Sequence, residues 1–366
     1  MITPLAPEYE ALKQRVDDFF HSGEWSAEHE DFDFCRRMVK EMGNAGLLEF
    51  VAPAASVKTL CFLRYSIAQH SGLSDALFAM QGLGSYPVSL AGTDDQKKKY
   101  LHPVLTGDLV SAFAMTEPQA GSDAGAMSLK ADKKADGYIL NGKKTLISNA
   151  GLADFYTLFA RTSEGSRGVT AFILDGNTKG ISVRNQILIA AHPIGELEFR
   201  DCFIPTEQRL GNEGEGLKIA YTTLDVFRPS VAAAATGMAQ RAFQEAIAYA
   251  KKRKQFGKYL AEFQGIQFKI AEMAQQLQAS KLLIWDAASR KDSGQSRITL
   301  EAAMAKSFAA EAAQQIIDEA LQIHGGVGLL RNSITERLYR DIRALRIYEG
   351  TTEILKSIIA HQILQA

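Results

Sequence analysis

The sequence predicts a multi-domain α+β protein: an N-terminal α-helical domain, then a middle antiparallel β domain, then a C-terminal four-helix bundle. Three observations predict this order. Apolar residues recur at helical spacing up to about residue 110, short alternating runs with turn dipeptides follow, and the helical period then returns and persists to the end. We therefore predict domains at 1–110, 111–215 and 216–366.

Each region carries its own local signals. In the first, EYEALKQRVDDFF and DFCRRMVKEMGNAGLL have helical spacing, and Thr93 is a predicted N-cap followed by two acids. In the second, the runs GYILNGKKTLIS, DFYTLFART, GVTAFILD and GELEFRDCFIP have strand lengths. The dipeptides Asp136–Gly137 and Asn141–Gly142 are predicted to be tight turns of an antiparallel sheet.

The third region is predicted to contain long helices with short connections, as in an up-down bundle. One apolar stripe has helical spacing: Phe263, Ile266, Ile270, Met273 and Leu277. The alanine-rich stretch EAAMAKSFAAEAAQQIIDEALQIHGG ends at Gly325–Gly326, and Ser333 with Glu336 gives a capping-box signal for the next helix.

Composition narrows the class of protein. The chain has 366 residues, 46% of them hydrophobic and 23% charged, with a net charge of −1, so neither nucleic acid nor an anionic membrane is an expected partner. The N-terminus is not expected to be a signal peptide, and no apolar run is long enough for a membrane helix. Three widely spaced cysteines indicate a reducing compartment, and we expect a cytoplasmic protein with no metal site.

Three short stretches carry chemical groups of interest. SAFAMTEPQAGSD offers Thr116, Gly121 and Ser122 in one loop, which suits a planar polar ligand or a pyrophosphate, although a plain interdomain loop explains it equally. HGGVG follows no predicted strand, so it is interpreted as a helix end rather than a nucleotide loop. RIYEGTTEI displays Glu349 beside Gly350 on a corner between two predicted helices.

Four segments together resemble the acyl-CoA dehydrogenase family, from about residue 80 to the C-terminus. They are FAMTEPQAGSDAGAM, YILNGKKTLISNAG, RKQFGKYLAEFQGIQFKIAEM and ALQIHGGVGLLRNSITERLYRDIRALRIYEGTTEI. The resemblance implies that family's fold and an oxidoreductase that acts on CH–CH groups, with FAD as cofactor. The implied substrate is an acyl-CoA, the implied acceptor an electron-transfer flavoprotein, and the implied assembly a homotetramer built as a dimer of dimers.

The resemblance also implies site residues. Those implied to bind FAD are Phe113, Met115, Thr116, Gly121, Ser122, Leu146, Ile147, Ser148, Arg253, Gln255, Phe256, Gln264, Gln322, Gly325, Gly326, Thr351 and Glu353. Those implied to bind substrate are Ser122, Asp225, Arg228, Tyr348 and Gly350.

Glu349 is implied to be the catalytic base, which takes the α-proton while the β-hydrogen leaves as hydride and gives a trans-2-enoyl product. Burial is expected to raise its pKa toward working pH. The position that holds the base in some family branches is Phe227 here, which cannot accept a proton. The competing interpretation is a solvated acid at a helix end.

Two departures from the family pattern keep alternative functions open. Leu146 stands where most relatives have tryptophan, and ILIAAHPIGELEF replaces a segment that is usually rich in Gly, Arg, Ser and Thr. The alternatives are an acyl-carrier-protein dehydrogenase of a polyketide or other secondary-metabolite pathway, and a flavin oxidase or monooxygenase on the same fold.

Overall fold

Helices precede and follow a run of strands along the chain, in the order that the sequence predicts. The computed structural model describes residues 7–25, 31–52, 56–165, 168–331 and 333–365. The helices before the strands are α1 (Pro7–His21), α2 (Phe32–Asn44), α3 (Val57–Ala68), α4 (Gly72–Ala91) and α5 (Asp94–Leu105). The predicted N-cap at α5 is confirmed, because Thr93 Oγ1 accepts from the Gln96 N–H at 3.2 Å and Gln96 Oε1 accepts from the Thr93 N–H at 2.8 Å.

The middle region forms an eight-stranded sheet. Its strands are β1 (Ser111–Ala114), β2 (Lys130–Lys133), β3 (Gly137–Ser148), β4 (Phe155–Arg161), β5 (Val169–Asp175), β6 (Ile181–Gln186), β7 (Ile194–Pro205) and β8 (Arg209–Leu210). The order is β6-β7-β3-β2-β4-β5-β8, with β1 added on β4. The sheet is mainly antiparallel as predicted, but β1 and β2 each pair with β4 in parallel. The chain between β1 and β4 includes the β2–β3 hairpin and is therefore long enough for a parallel crossover.

One of the two predicted turns is confirmed and the other is wrong. Asp136 and Gly137 lie where β2 meets β3, and the Lys134 N–H donates to the Gly137 carbonyl at 2.8 Å. Asn141–Gly142 lies inside β3, where the pairing with β7 shifts register between Leu140 and Gly142. A bulge can use the same permissive glycine as a turn, so the dipeptide alone does not distinguish the two.

The described C-terminal region contains three long helices and two shorter ones. They are α6 (Gly216–Lys252), α7 (Gln264–Asp292), α8 (Thr299–His324), α9 (Ile334–Leu345) and α10 (Thr352–Leu364), with a small hairpin of β9 (Lys254–Gln255) and β10 (Lys258–Tyr259) between α6 and α7. The predicted fold class, α then β then α, is confirmed. As predicted, α8 ends at His324 before Gly325.

Alanines dominate the core that joins the C-terminal helices. α6 contributes a row of fully buried alanines from Ala234 to Ala250, and α8 contributes Ala313 and Ala320. Larger side chains from α7 and α9, such as Met273 and Ile342, fill the space between them. Small side chains let helices approach closely, which matters for the site described below.

The chain divides into two compact units that cut across the predicted domains. The first unit comprises Met1–Phe20, Ser56–Asp75 and Asp225–Ala366, and the second comprises His21–Ala55 and Ala76–Leu224. The predicted boundaries at 110 and 215 therefore stay predictions. Residues 1–6, which begin the stretch judged not to be a signal peptide, lie outside the described residues. In the part of the chain that the structure describes, no helix combines the length and the apolar character that crossing a bilayer requires.

We predict that Gly237→Ala destabilises the protein by about 1–3 kcal/mol, because overpacking a tight contact has a cost of this order. A Cβ atom at Gly237 in α6 would lie 2.2 Å from the Tyr65 carbonyl oxygen of α3. The matched control is Gly265→Ala in α7, where a Cβ would meet nothing within 4 Å. That change should stabilise the helix by about 0.5–1 kcal/mol. Urea unfolding midpoints measure both, and a Gly237→Ala midpoint equal to wild type would contradict the prediction.

Candidate active site

Glu349 lies on a corner between α9 and α10, as predicted. Thr351 is the N-cap of α10, and its Oγ1 accepts from the Ile354 N–H at 3.3 Å. Glu349 has φ +53°, in the left-handed region that residues with a Cβ rarely adopt, and Gly350 follows at φ +102°. Two successive positive φ angles reverse the chain here, and such backbone strain persists only where surrounding contacts impose it.

One oxygen of the partly buried Glu349 carboxylate lies in the interior without a hydrogen-bond partner. Its Oε2 is inaccessible to solvent and has no hydrogen bond among the residues that the structure describes. Burial raises the pKa of this carboxyl, and the positive charges of Arg64, Lys306 and Arg228 offset only part of that effect. The direction of this pKa change is the one expected from the sequence for a base, and the role of Glu349 stays a prediction.

Two buried cations hold the backbone of this corner rather than the carboxylate. Arg228 in α6 donates from Nε to the Glu349 carbonyl oxygen at 3.0 Å. Lys306 in α8 is fully buried and donates from Nζ to the Gly350 carbonyl oxygen at 2.6 Å. Burial lowers the pKa of Lys306 to about 8. Both carbonyls are therefore satisfied by charge-assisted bonds, while the acid stays unpaired.

A third buried cation, Arg64 in α3, approaches from the other side. Its guanidinium donates to both oxygens of Asp75, at 2.8 and 2.6 Å, and to Ser230 Oγ at 3.0 Å. Burial raises the pKa of Tyr348, and the positive charge of Arg64 opposes that rise. The three residues Arg64, Arg228 and Lys306 are called the corner cations below.

Asp225 lies one helical turn before Arg228 and is mostly buried. Its Oδ2 accepts from Thr299 Oγ1 at 2.7 Å, and its Oδ1 lies 3.8 Å from Arg228 Nη1. Burial raises the pKa of Asp225. Phe227, between them, is fully buried and offers no acid or base.

The predicted FAD residues of the first unit are solvent-exposed at two neighbouring places. One is the β9–β10 hairpin with the start of α7, and the other is the end of α8; the exposed residues are Arg253, Gln255, Phe256, Gln264, Gln322, Gly325 and Gly326. The stacked rings of Tyr249 and His324, with centroids 4.5 Å apart, bring the end of α6 to the end of α8. No described hydrogen bond or ion pair links either place to Glu349. Thr351 and Glu353 instead lie beside it at the start of α10.

The predicted FAD residues of the second unit come from one loop and one strand that are held together. The Thr145 N–H donates to the Thr116 carbonyl at 2.9 Å, and Lys144 Nζ donates to the Met115 carbonyl at 2.8 Å. In the loop, Gly121 and Ser122 are exposed. The Phe113 ring packs on Phe159 with centroids 4.8 Å apart.

Leu146 and its neighbours form the strand side of this arrangement. Leu146 is 52% exposed and has φ +54°, and its N–H donates to Gln186 Oε1 at 3.1 Å. The next residue, Ile147, is buried, and Ser148 Oγ lies 2.7 Å from His192 Nε2. Burial lowers the pKa of His192 to about 4, so this ring is neutral at pH 7.

Several site residues were not predicted from the sequence. In the second unit they are Lys144 and Glu117, a buried ion pair at 2.9 Å in which the carboxylate also accepts from the Ser128 and Leu129 N–H groups. In the first unit they are Arg64, Asp75 and Lys306. A usable signal existed for Lys306, because it lies among buried alanines on the apolar face of α8, where a lysine needs a partner.

Comparisons with known proteins assign the chain to a family. The family models for the N-terminal, middle and C-terminal domains of acyl-CoA dehydrogenase match residues 6–108, 112–202 and 214–364. Together they match most of the chain.

Three relatives are similar over most of their length. The 3-(aryl)acrylate reductase of Clostridium sporogenes is 41% identical over 91% of each chain. The caffeyl-CoA reductase–Etf complex subunit CarC of Acetobacterium woodii is 43% identical over 81% of this chain and 80% of its own. The short-chain specific acyl-CoA dehydrogenase of Clostridium acetobutylicum is 35% identical over 99% of both.

Three solved structures have a similar fold. Butyryl-CoA dehydrogenase of Megasphaera elsdenii has a TM-score of 0.91 at 32% identity and covers 100% of both chains. An acyl-CoA dehydrogenase of Bacillus anthracis complexed with FAD has a TM-score of 0.91 at 29% identity, covering 100% of this chain and 68% of its own. The prolyl acyl carrier protein oxidase AnaB has a TM-score of 0.92 at 29% identity, covering 98% and 100%.

Fold and family models define an oxidoreductase class that acts on acyl thioesters. The chain belongs to the acyl-CoA dehydrogenase family, as the sequence predicts, and FAD is the cofactor of that class.

We predict that Glu349→Gln is at least as stable as wild type at neutral pH. The folded protein raises the pKa of Glu349, so the unfolded chain gives up this proton at a lower pH than the folded protein does. Protonated Glu349 therefore stabilises the folded protein, and this contribution is lost as pH rises through the pKa of Glu349 in the folded state. The amide of Glu349→Gln does not titrate, so the variant has no such loss. The difference in Tm should widen toward neutral pH and close in acid.

Thermal melts followed by circular dichroism over a pH series measure this difference. Glu245→Gln is the matched control, because Glu245 pairs with Arg241 one turn away on α6 and is partly exposed. Its Tm should change little at any pH. A Glu349→Gln protein that melts below wild type at neutral pH would mean that the carboxylate supports the fold.

Proposed function

We propose that the protein catalyses the α,β-dehydrogenation of an acyl-CoA to a trans-2-enoyl-CoA, with Glu349 as the catalytic base. The observation that carries this proposal is the unpaired Glu349 carboxylate, one oxygen of which is buried, on a corner whose backbone is held by buried cations. A structural carboxylate would be paired in such a place. An unpaired one with a raised pKa has the properties that proton abstraction requires.

The residues of the corner supply the remaining groups for this step. Glu349 takes the α-proton of the thioester, whose carbonyl oxygen gains negative charge as the proton leaves. The Glu349 N–H makes none of the described backbone hydrogen bonds, so it is available to that oxygen. The β-hydrogen leaves as hydride, and FAD, when bound, supplies the acceptor. Gly350, with no side chain at φ +102°, leaves the approach to the corner open.

The residues present suit FAD. Arg253 is exposed and has no ion-pair partner among the described residues, which is what a pyrophosphate-binding guanidinium needs. The hydroxyls of Thr116 and Ser122 likewise enter no described hydrogen bond. We propose that these residues hold the cofactor together with the others predicted from the sequence. Phe256, 93% exposed at φ +49°, belongs to the same hairpin as Arg253 and is proposed to reach a second subunit.

We propose that Ser122, Asp225, Tyr348 and Gly350 contribute to substrate binding. Arg228, which was expected to bind substrate, is bonded to the Glu349 carbonyl, so we propose that it acts first by holding the base. The proposed domain boundaries are those predicted from the sequence, at 110 and 215.

The reverse reaction, reduction of a 2-enoyl thioester, is a second candidate function. Two of the relatives, at 41% and 43% identity, are named as reductases. The same residues serve both directions, because a Glu349 with a raised pKa can return its proton to the α-carbon. The carrier-protein and oxidase alternatives are less well supported, since the carrier-protein oxidase matches at 29%.

We propose a homotetramer built as a dimer of dimers, with an electron-transfer flavoprotein as acceptor. Large apolar side chains are exposed on α7 and α8, among them Leu282 at 61%, Trp285 at 49% and Phe308 at 40%. Phe308 also lines a groove of about 410 Å³ between α7, α8 and α10. Apolar area of this kind favours a second copy of the chain. A cytoplasmic location and a role in fatty acid metabolism are proposed as well, the former supported by three free, buried cysteines.

We predict that Glu349→Gln slows flavin reduction by an acyl-CoA about 10²–10⁴-fold, because the amide cannot accept the proton. Stopped-flow absorbance under anaerobic conditions gives the rate with each member of a panel, for example butyryl-CoA and 3-phenylpropanoyl-CoA. Binding of the thioester and FAD content should be close to wild type. A rate within about threefold of wild type, against that expectation, would exclude Glu349 as the base.

We predict that Arg253→Ala weakens retention of FAD, because a guanidinium that neutralises pyrophosphate is lost. Lys258→Ala removes a positive charge from the same exposed hairpin and is the matched control. Flavin content after gel filtration, with sedimentation of the same samples at decreasing concentration, measures cofactor retention and assembly together. A stable monomer that keeps FAD would contradict the two-subunit site.

A further inference from the structure

Two successive residues of the corner are each bonded by a buried cation from a different helix. Arg228 of α6 donates to the Glu349 carbonyl and Lys306 of α8 to the Gly350 carbonyl. The third corner cation, Arg64 of α3, acts on Glu349 through its charge. None of these bonds reaches the Glu349 carboxylate. The corner cations therefore act on the backbone and on the electrostatic field around the acid, and leave its proton-accepting oxygen free.

Lys306 differs from the other two because its burial is not balanced by a bonded carboxylate. Arg64 is paired with Asp75 at 2.6 Å, and Arg228 lies 3.8 Å from Asp225. The Lys306 side chain is not exposed to solvent, and its described hydrogen bond is to the backbone oxygen of Gly350. Burying an ammonium costs free energy that one carbonyl recovers only in part. A purely structural site would be served better by an apolar side chain.

The position of the Lys306 amine explains why a lysine is useful at this buried site. Its bond fixes the carbonyl of Gly350, the residue that follows Glu349, and so restrains the two positive φ angles that set the direction of the Glu349 side chain. Its charge also favours the ionised form of Glu349. We propose that Lys306 is a positioning residue that orients Glu349 and favours its ionised form for proton abstraction; this rests on the proposed role of Glu349 as base.

The sign of the electrostatic effect follows from the charges that face the two groups. Glu349 interacts with the positive charges of Arg64, Arg228 and Lys306 and with the negative charge of Asp75. Lys306 in turn interacts with Arg228 and with the carboxylates of Glu349, Glu311 and Glu353. Removing the Lys306 charge removes one of three groups that lower the pKa of Glu349. The pKa of the base must then rise.

The test compares Lys306→Met, which removes both the charge and the donor, with Lys306→Gln, which removes the charge and keeps a donor. The reduction rate at saturating butyryl-CoA is measured from about pH 5 to 9. Both variants should move the acid limb of the profile to higher pH by about one unit. The rate at the plateau should fall about tenfold or more in Lys306→Met and less in Lys306→Gln.

The control is Lys218→Met, which removes the charge of a lysine whose side chain is 79% exposed and should leave the profile unchanged. The proposal is overturned if the Lys306 variants fold and bind FAD but the acid limb of their profiles coincides with that of wild type. It is also overturned if neither variant folds. Glu349→Gln in the same series separates the two claims. If the flavin of Glu349→Gln is reduced at the wild-type rate, Glu349 is not the base. If Glu349→Gln is inactive and the acid limb of the Lys306→Met profile coincides with that of wild type, only the role of Lys306 is rejected.

Discussion

The organisation of the first unit depends on keeping one carboxylate unpaired, with one of its oxygens buried, at a strained corner. Burial and the left-handed backbone of Glu349 both raise the free energy of the folded state. The protein offsets this with charge-assisted bonds to the neighbouring carbonyls, not with an ion pair to the acid. The corner is therefore held firmly, while the oxygen that would take a proton stays free.

Bringing three helices to one corner explains much of the packing around it. The alanine rows of α6 and α8 let these helices lie close together, so that Arg228 and Lys306 reach adjacent carbonyls. α3 approaches α6 just as closely, with the Tyr65 carbonyl against Gly237. The small residues of the core thus let the helices lie close enough for the long cationic side chains to reach the corner.

The sequence predicted what depends on local pattern and missed what depends on distant contacts. Helical spacing, alternation and the Thr93 cap predicted the order of elements, and the glycine after Glu349 predicted its corner. Asn141–Gly142 was wrong because a bulge and a turn need the same backbone freedom. Arg64 and Lys306 were missed because Ser230 and Gly350, to which they donate, are far away in the chain. Helical spacing alone does not show what a buried cation contacts.

Two buried ionic sites among the described residues, at Glu117 and at Glu349, show how a reactive acid differs from a structural one. Glu117 accepts from Lys144 and two backbone N–H groups, and although burial opposes it, the Lys144 charge holds the pKa of Glu117 below its usual value. Glu349 is near three cations, yet burial raises its pKa, because their charges offset only part of the cost of burial and none of them bonds to the carboxylate. Proximity of opposite charge therefore does not decide the role of a buried carboxylate. Hydrogen bonding to the carboxylate itself does, and it is this that Glu349 lacks.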